Sequence, residues 1–165
     1  MTAVSPLKPE PQSDIKFIAD VHLGRLAKYL RLCGFDTLYD ASLDDREIIE
    51  LSLADHRIIL TRDKELLKNK KVNNGQRIIS QKPVEQFAEV MKRFDLKDNI
   101  APFTRCLECN GTFDDIPKEE ILSNLLPRTR DYYTDFKKCT GCGKIYWEGS
   151  HYERMKKFIL IISNF

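Results

Sequence analysis

The segment IKFIADVHLGRLAKYLRLCG, residues 15–34, joins a short apolar run to a helical pattern and thereby decides the fold class. Residues 15–19 are mostly apolar, which predicts a β-strand that ends at Asp20. Leucine and alanine then recur through residues 23–30 at the spacing of one helix face, and Gly34 is typical of a helix end. A strand that leads directly into an amphipathic helix is the repeating unit of α/β proteins.

The same alternation of strands and helices continues to about residue 95. Further strands are predicted at residues 36–39, 58–61 and 77–80, and helices at residues 45–54, 64–68 and 83–94. Strands that alternate with helices are joined by right-handed crossovers, so they form a parallel sheet that helices cover on both faces. The sequence therefore predicts a three-layer α/β/α domain over residues 15–97.

The remaining parts of the chain differ from this domain in composition and in hydrophobic pattern. Residues 1–14 contain prolines and no apolar run, which predicts a disordered leader. Beyond a boundary near residues 97–104 the pattern breaks up into cysteine pairs, turns and aromatic residues. We therefore expect a small second unit over residues 104–157, followed by an apolar tail at residues 158–165.

The composition is that of a soluble globular protein, with 42% hydrophobic and 32% charged residues. The formal net charge is only +2, so a nucleic-acid surface would require local clustering of cations. The longest apolar stretch, residues 158–162, is far shorter than the roughly 20 residues that span a bilayer. Five cysteines without a signal peptide fit a reducing compartment. We expect an intracellular, most simply cytoplasmic, protein without a membrane partner, and make no prediction of its oligomeric state.

Two C-x-x-C pairs in the second unit predict a zinc site. Cys106 and Cys109 form one pair, and Cys139 and Cys142 form the other. Each pair presents two thiolates from one tight turn, and two such turns complete a tetrahedron around Zn²⁺; two disulfides are the alternative. Because four thiolates fill the coordination sphere, the zinc would be structural. The 29 residues between the pairs must form a long connecting segment away from the metal, and we expect this segment to contain a helix near residues 118–125.

Acidic residues follow three of the predicted strands. Asp20 follows the first strand, Asp44 and Asp45 follow the second, and Asp63 follows the third. Because the carboxyl ends of parallel strands meet at one edge of a sheet, these carboxylates should converge there. Hard divalent ions such as Mg²⁺ or Mn²⁺ are their natural occupants. Each aspartate alone is also a good helix N-cap, a role that is compatible with metal binding.

Several of these stretches are similar to those of a known family. Residues 20–31, DVHLGRLAKYLR, resemble the opening motif of the Mut-seven C-terminal RNase family, and residues 60–63, LTRD, resemble its L-T-R-D motif. Residues 105–110, RCLECN, and residues 142–151, CGKIYWEGSH, resemble its zinc-ribbon signature. The resemblance covers residues 15–157, which is nearly the whole chain.

This resemblance implies a PIN-like α/β/α domain followed by a zinc ribbon, with metal-dependent ribonuclease activity. By position, Asp20 matches the first metal-binding acid of the family and Asp63 matches the acid of its T-x-D motif. The second acid falls on Asp44 or Asp45, with a slight preference for Asp45 because Asp44 is the better N-cap. Many PIN domains have a fourth acid after the fourth strand, but residues 80–81 are Ser-Gln here, so the resemblance does not extend to this acid or to the second metal that it would help to bind.

Two arginines and the ribbon are candidates for contact with RNA. Arg25 and Arg62 flank the acids and would neutralise phosphate charge, unless they form solvated surface or pair with the acids. Cations and aromatic residues interleave through the ribbon, which suits single-stranded RNA, unless the aromatic residues form the ribbon's own core. The leading hypothesis is a Mg²⁺- or Mn²⁺-dependent RNA endonuclease. The alternative is a non-catalytic RNA- or protein-binding adaptor with a degenerate acidic site.

Overall fold

The computed structural model describes residues 15–164 and contains two sheets. The first is a four-stranded parallel sheet in the order β2-β1-β3-β4. Its strands are β1 (Lys16–Ala19), β2 (Asp36–Leu38), β3 (Ile58–Thr61) and β4 (Gly75–Arg77). Because successive crossovers run to both sides of β1, the strand ends that carry Asp20 and Asp63 lie side by side at one edge of this sheet.

Four helices cover the two faces of the parallel sheet. They are α1 (Gly24–Leu32), α2 (Asp45–Ala54), α3 (Lys64–Lys68) and α4 (Pro83–Arg93). Side chains alternate between the two faces of a strand. Phe17 and Leu60 accordingly join the core under α1 and α4, whereas Ile18 and Ile59 join the core under α2 and α3. The predicted three-layer α/β/α domain is confirmed.

The fourth strand differs from its prediction at residues 77–80, since β4 begins two residues earlier and ends at Arg77. The N–H of Ile78 still donates to β3 (2.8 Å). The next two backbone N–H groups donate instead to the two carboxylate oxygens of Glu89, at 2.8 and 2.7 Å. The Glu89 side chain thus takes the place of β3 as hydrogen-bond acceptor and ends the pairing of β4 with β3. No local sequence pattern indicates this end.

The second unit is built on a three-stranded antiparallel sheet in the order β5-β6-β7. Its strands are β5 (Phe113–Ile116), β6 (Phe136–Cys139) and β7 (Ile145–Tyr146). Helices α5 (Lys118–Ile121) and α6 (Pro127–Tyr132) occupy the long connecting segment between the cysteine pairs. The helix expected near residues 118–125 is therefore present, as α5 and the 3-10 turn that follows it.

The last helix, α7 (Ser150–Ile162), returns to the first domain. Ile159 and Ile162 are buried in the core under α1 and α4. The ring of Phe158 lies 4.7 Å from that of Tyr29 on α1, measured between centroids. The helix runs without a break through residue 158, where the sequence predicts the tail to begin. The leader predicted for residues 1–14 lies outside the described residues, and within residues 15–164 no helix is long and apolar enough to cross a membrane.

The ribbon docks on the free edge of β2 through two polar side chains. Arg31 donates to the Thr37 carbonyl (2.8 Å) and to the carbonyls of residues 107–108 (both 2.9 Å). The Asn110 side chain accepts from the Thr37 N–H (2.9 Å) and donates to the Asp36 carboxylate (2.7 Å). These two side chains satisfy backbone groups that an edge strand would otherwise leave unpaired. The ribbon is thereby fixed to the parallel sheet.

Candidate metal centres

The four cysteines of the two C-x-x-C pairs meet at one point. Their sulfur atoms all lie within 4.8 Å of one another. The Sγ atoms of Cys106 and Cys142 are 3.7 Å apart, and those of Cys109 and Cys139 are 3.3 Å apart. A tetrahedral zinc with Zn–S bonds of about 2.3 Å requires sulfur separations of about 3.8 Å. The cluster is therefore compatible with a structural zinc, as the sequence predicts.

Two glycines make room for this arrangement. A Cβ atom added at Gly111 would lie 2.9 Å from the Cys139 sulfur, and one at Gly141 would lie 3.0 Å from the Cys109 sulfur. A glycine of each turn thus faces a cysteine sulfur of the opposite pair. A larger residue in place of either glycine would push that sulfur away. The sulfurs and the backbone together form a cradle with the size and donor chemistry of a Cys₄ zinc site, in which Cys106 and Cys139 are buried and Cys109 and Cys142 are exposed.

The surroundings shift the pKa values of two of the thiols in opposite directions, and burial raises the pKa of Cys109 to about 12. Burial raises the pKa of Cys139, but hydrogen bonds from the backbone N–H of Cys142 and from the Cys109 thiol lower it to about 7. The buried guanidinium of Arg31 has its pKa lowered by burial, an effect that the neighbouring sulfurs of Cys109 and Cys106 oppose. Zn²⁺ with four thiolates has a net charge of −2, which a nearby arginine partly balances.

The second candidate centre lies at the carboxyl edge of the parallel sheet and is organised by Thr61. This buried hydroxyl donates to one carboxylate oxygen of Asp20 (2.7 Å) and accepts from the N–H of Asp63 (2.9 Å). The other Asp20 oxygen accepts from the N–H of Val21 (2.6 Å). Thr61 thus connects the acids that follow β1 and β3. Sequence reasoning assigned it no role, although its place two residues before Asp63 in LTRD was a usable signal.

Asp45 faces the same group of acids. Burial raises the pKa of Asp45, and the carboxylates of Asp20, Asp63 and Asp44 raise it further, in that order. Asp44 instead forms a capping box with Glu47: its carboxylate accepts from the Glu47 N–H (2.8 Å), and its own N–H donates to the Glu47 carboxylate (2.9 Å). The carboxylate of Asp44 caps α2, whereas that of Asp45 lies near Asp20 and Asp63 and caps no helix. Asp45 is therefore the better candidate for the second acid.

The acids are neighbours without touching. Asp63 uses one carboxylate oxygen to accept from the Glu65 N–H (2.7 Å), so it also caps α3. Among residues 15–164, only the cysteine cluster brings three or more ligand atoms within 4.8 Å of one another. Mg²⁺ retains several waters and binds through one or two carboxylates plus substrate phosphates, so its binding does not require all three aspartates to converge.

The structure also shows the surroundings of the two flanking arginines and of the strand end where a fourth acid would lie. Arg25 and Arg62 are both exposed, and in the described chain neither forms an ion pair within 4 Å. After β4, the Ser80 hydroxyl donates to the carboxylate of Glu85 on α4 (2.6 Å). Glu85 also holds Lys82 (2.9 Å), so this carboxylate is engaged locally rather than with the aspartates. Glu85 lies in the first turn of α4, five residues after Ser80, so its approach to the strand end depends on the turn between them.

The two candidate centres lie at opposite ends of the parallel sheet. The zinc knuckle contacts Asp36, which pairs with Lys16 at the start of β1. Asp20 follows the last residue of the same strand, four residues beyond Lys16. At about 3.3 Å per residue, this places the two levels of the sheet about 13 Å apart. A metal at the cysteines is therefore too far from the acids to take part in their chemistry.

The chain was compared with known proteins. The model of the Mut7-C RNAse domain family matches residues 15–159, which include the acidic edge, both cysteine pairs and most of α7. No curated protein and no solved structure matches the chain significantly. The family match covers most of the chain and contains both candidate centres. We conclude that this chain belongs to the Mut7-C RNAse domain family.

Proposed function

We propose that this protein is a ribonuclease that hydrolyses phosphodiester bonds of single-stranded RNA at the acidic edge of its parallel sheet, with Mg²⁺ or Mn²⁺. The observation that supports this most is the link through Thr61 between Asp20 and the backbone of Asp63. Both oxygens of the buried Asp20 carboxylate accept hydrogen bonds, which fixes the direction in which this carboxylate points. Membership in an RNase domain family supports the reaction class.

Asp20, Asp45 and Asp63 would hold the divalent ion in this proposal. When bound, such an ion polarises the scissile phosphate and lowers the pKa of a coordinated water. Because the water is activated in this way, no side chain has to act as general base. Arg25 and Arg62, which are exposed beside the acids, would neutralise phosphate charge as the strand enters.

The zinc has a different role in the proposal. Four thiolates complete its coordination, so no position is open for water or substrate. It would hold the loop of Asn110 against β2 and would thereby stabilise the sheet that positions the acids. RNA hydrolysis is consequently expected to respond to added Mn²⁺ or Mg²⁺ and not to zinc beyond one equivalent.

The test compares wild-type protein with an Asp20→Asn, Asp63→Asn double variant on end-labelled single-stranded RNA in Mn²⁺. A matched control carries Asp98→Asn and Asp114→Asn, which remove the same two charges at exposed positions away from the acidic edge. We expect the wild type and the control to produce internal cleavage products and the active-edge variant to produce none. Equal cleavage by all three proteins, or none by any of them, would contradict the proposal.

A second candidate function is a non-catalytic RNA- or protein-binding adaptor. It is favoured by the spacing of the aspartates, which do not come within 4.8 Å of one another as a set of three in the described chain, and by the engaged Glu85 at the end of β4. RNA binding without turnover in Mg²⁺, Mn²⁺, Co²⁺ or Ca²⁺ would support the adaptor over the nuclease.

A further inference from the structure

A groove lies along the free edge of β4, outside the acidic cluster. It is a shallow depression, open to solvent, between β4 with the residues after it and the last turns of α4, and its volume is about 620 Å³. Its lining residues are Gln76, Arg77, Ile79, Glu89, Lys92 and Arg93. Half of these six residues are cations, which is unusual for a chain whose net charge is only +2.

The positive charge of the groove is largely uncompensated. Arg77, Lys92 and Arg93 are exposed, and none of them forms an ion pair within 4 Å among residues 15–164. Glu89 is the only acid of the lining, and both of its carboxylate oxygens already accept backbone N–H groups. Three cations against one carboxylate leave a net charge of +2. Arg93 donates to the Gln76 side chain (3.0 Å), which holds its guanidinium at the groove.

One end of the groove lies beside the strand that carries Thr61. Arg77 pairs in register with Thr61 of β3, and Thr61 donates to the Asp20 carboxylate. Neighbouring strands are about 4.8 Å apart, so the cationic end of β4 lies one strand spacing from the residue that organises the acids. A phosphate chain bound along β4 would thus reach Asp63 without leaving the surface of the sheet.

The ribbon offers a weaker surface for RNA. Several of its cations face acids at ion-pair distance, namely Lys137 with Asp115 (3.2 Å), Lys144 with Glu108 (3.5 Å) and Arg130 with Asp131 (3.6 Å). Some of its aromatic residues pack against one another: Phe136 is buried, and the rings of Phe113 and Tyr146 lie 4.9 Å apart, whereas Tyr132 and Trp147 are exposed. Compensated cations and packed rings leave fewer groups for phosphates and bases.

We propose that the β4–α4 groove binds the phosphate backbone of single-stranded RNA and guides the strand to the acidic edge. The inference deepens the proposed ribonuclease function and rests on it for the identity of the ligand. Lys92 and Arg93 contact neighbouring phosphates from α4, and Arg77 contacts a further phosphate where the strand passes the end of β4. The exposed side chain of Ile79 provides an apolar contact for a ribose or base. The groove reads no sequence, because it offers cations and one apolar group rather than a pattern of base-specific donors.

The test measures binding rather than cleavage. Zinc-loaded protein is titrated into a fluorescein-labelled single-stranded RNA of ten nucleotides, in buffer without Mg²⁺ or Mn²⁺, and anisotropy is recorded at several salt concentrations. The groove variant carries Arg77→Ala, Lys92→Ala and Arg93→Ala. The charge-matched control carries Arg128→Ala, Lys138→Ala and Arg154→Ala, which are exposed cations of the ribbon and α7.

We expect the groove variant to bind at least about tenfold more weakly than wild type. The slope of log K against log salt should fall by about 2, since each lost phosphate contact on a single strand removes about 0.7. The control should keep wild-type affinity. Wild-type binding by the groove variant, or a loss of affinity confined to the control, would overturn the proposal. If the triple variant does not fold, Lys92→Glu at an exposed helical position provides the same comparison.

The two proposals fail in different ways. If binding depends on the groove but no RNA is hydrolysed in any divalent metal, the groove inference stands and the nuclease proposal fails. If RNA is hydrolysed and the groove variant retains the wild-type KM, the nuclease proposal stands and the groove inference fails. Circular dichroism of each variant shows whether a loss of binding reflects unfolding.

Discussion

Replacing Asn110 with glycine should weaken the attachment of the zinc knuckle to the parallel sheet, although Arg31 would still hold the carbonyls of residues 107–108. The Asn110 side chain is buried, accepts from the backbone N–H of Thr37 at 2.9 Å and donates to the Asp36 carboxylate at 2.7 Å. Its backbone has a positive φ of 69°, which glycine adopts readily. Asn110→Gly therefore removes the two hydrogen bonds without adding backbone strain, and Asn110→Ala removes the same bonds and adds strain.

The size of the effect follows from these contacts. A buried N–H left without a partner costs about 1–3 kcal/mol, and a lost hydrogen bond to a charged group costs about 1.5–3 kcal/mol. Both bonds depend on one side chain, and Arg57 continues to hold Asp36 at 2.6 Å, so the two losses overlap. We expect Asn110→Gly to lower the free energy of unfolding by about 2–4 kcal/mol. Asn110→Ala should lose about 1–2 kcal/mol more because of the left-handed backbone.

Urea unfolding of zinc-saturated protein, followed by circular dichroism, measures these differences. Asn73→Gly, at an exposed position of the loop before β4, is the matched control and should stay within about 0.5 kcal/mol of wild type. The zinc content should remain at one ion per chain in both variants. A loss below about 1 kcal/mol in Asn110→Gly, or equal stability of the glycine and alanine variants, would refute this account of the docking.

Three further predictions concern the two metal centres. Cys142→Ser should abolish stoichiometric zinc binding, measured by elemental analysis, and should lower the melting temperature. Cys33 is a buried thiol outside the cysteine cluster, so Cys33→Ser should leave the zinc content unchanged. Thr61→Val, which keeps the side-chain volume but cannot donate to Asp20, should reduce kcat at least about tenfold with little change in KM, and Thr61→Ser should restore activity. Because the pKa of Asp45 is raised in the folded state, its ionisation destabilises the protein as the pH rises through the carboxyl range without divalent ions. Asp45→Asn should remove this loss, so the unfolding free energy of the variant relative to wild type should increase with pH. The unfolding free energy of the variant should not respond to Mn²⁺. A difference between variant and wild type that does not change with pH would count against this prediction.

Much of the first domain could be predicted because its signals are local. Helix α2 begins at Asp45 and ends at Ala54, as its capping box and apolar spacing indicate. Strand β3 at Ile58–Thr61 is fully buried, and its apolar composition is sufficient to identify it. The convergence of the four cysteines was predictable for a similar reason, since C-x-x-C spacing is a local property with one dominant explanation.

The features that escaped prediction depend on contacts between distant residues. The bond from Thr37 to Asn110 joins positions 73 residues apart, and neither residue type indicates it. The end of β4 depends on the Glu89 carboxylate, whose position is set by the packing of α4. The role of Thr61 required knowing that β1 and β3 are adjacent, because only this pairing brings its hydroxyl to Asp20.

The separation of two metals at opposite ends of one sheet is the claim on which the rest depends. Anomalous diffraction from a crystal of zinc-loaded protein soaked in Mn²⁺ tests it directly, with data collected on both sides of each metal's absorption edge. We predict a zinc peak among Cys106, Cys109, Cys139 and Cys142, and a manganese peak between Asp20, Asp45 and Asp63. Manganese absent from the acidic edge, or zinc absent from the cysteines, would contradict the account.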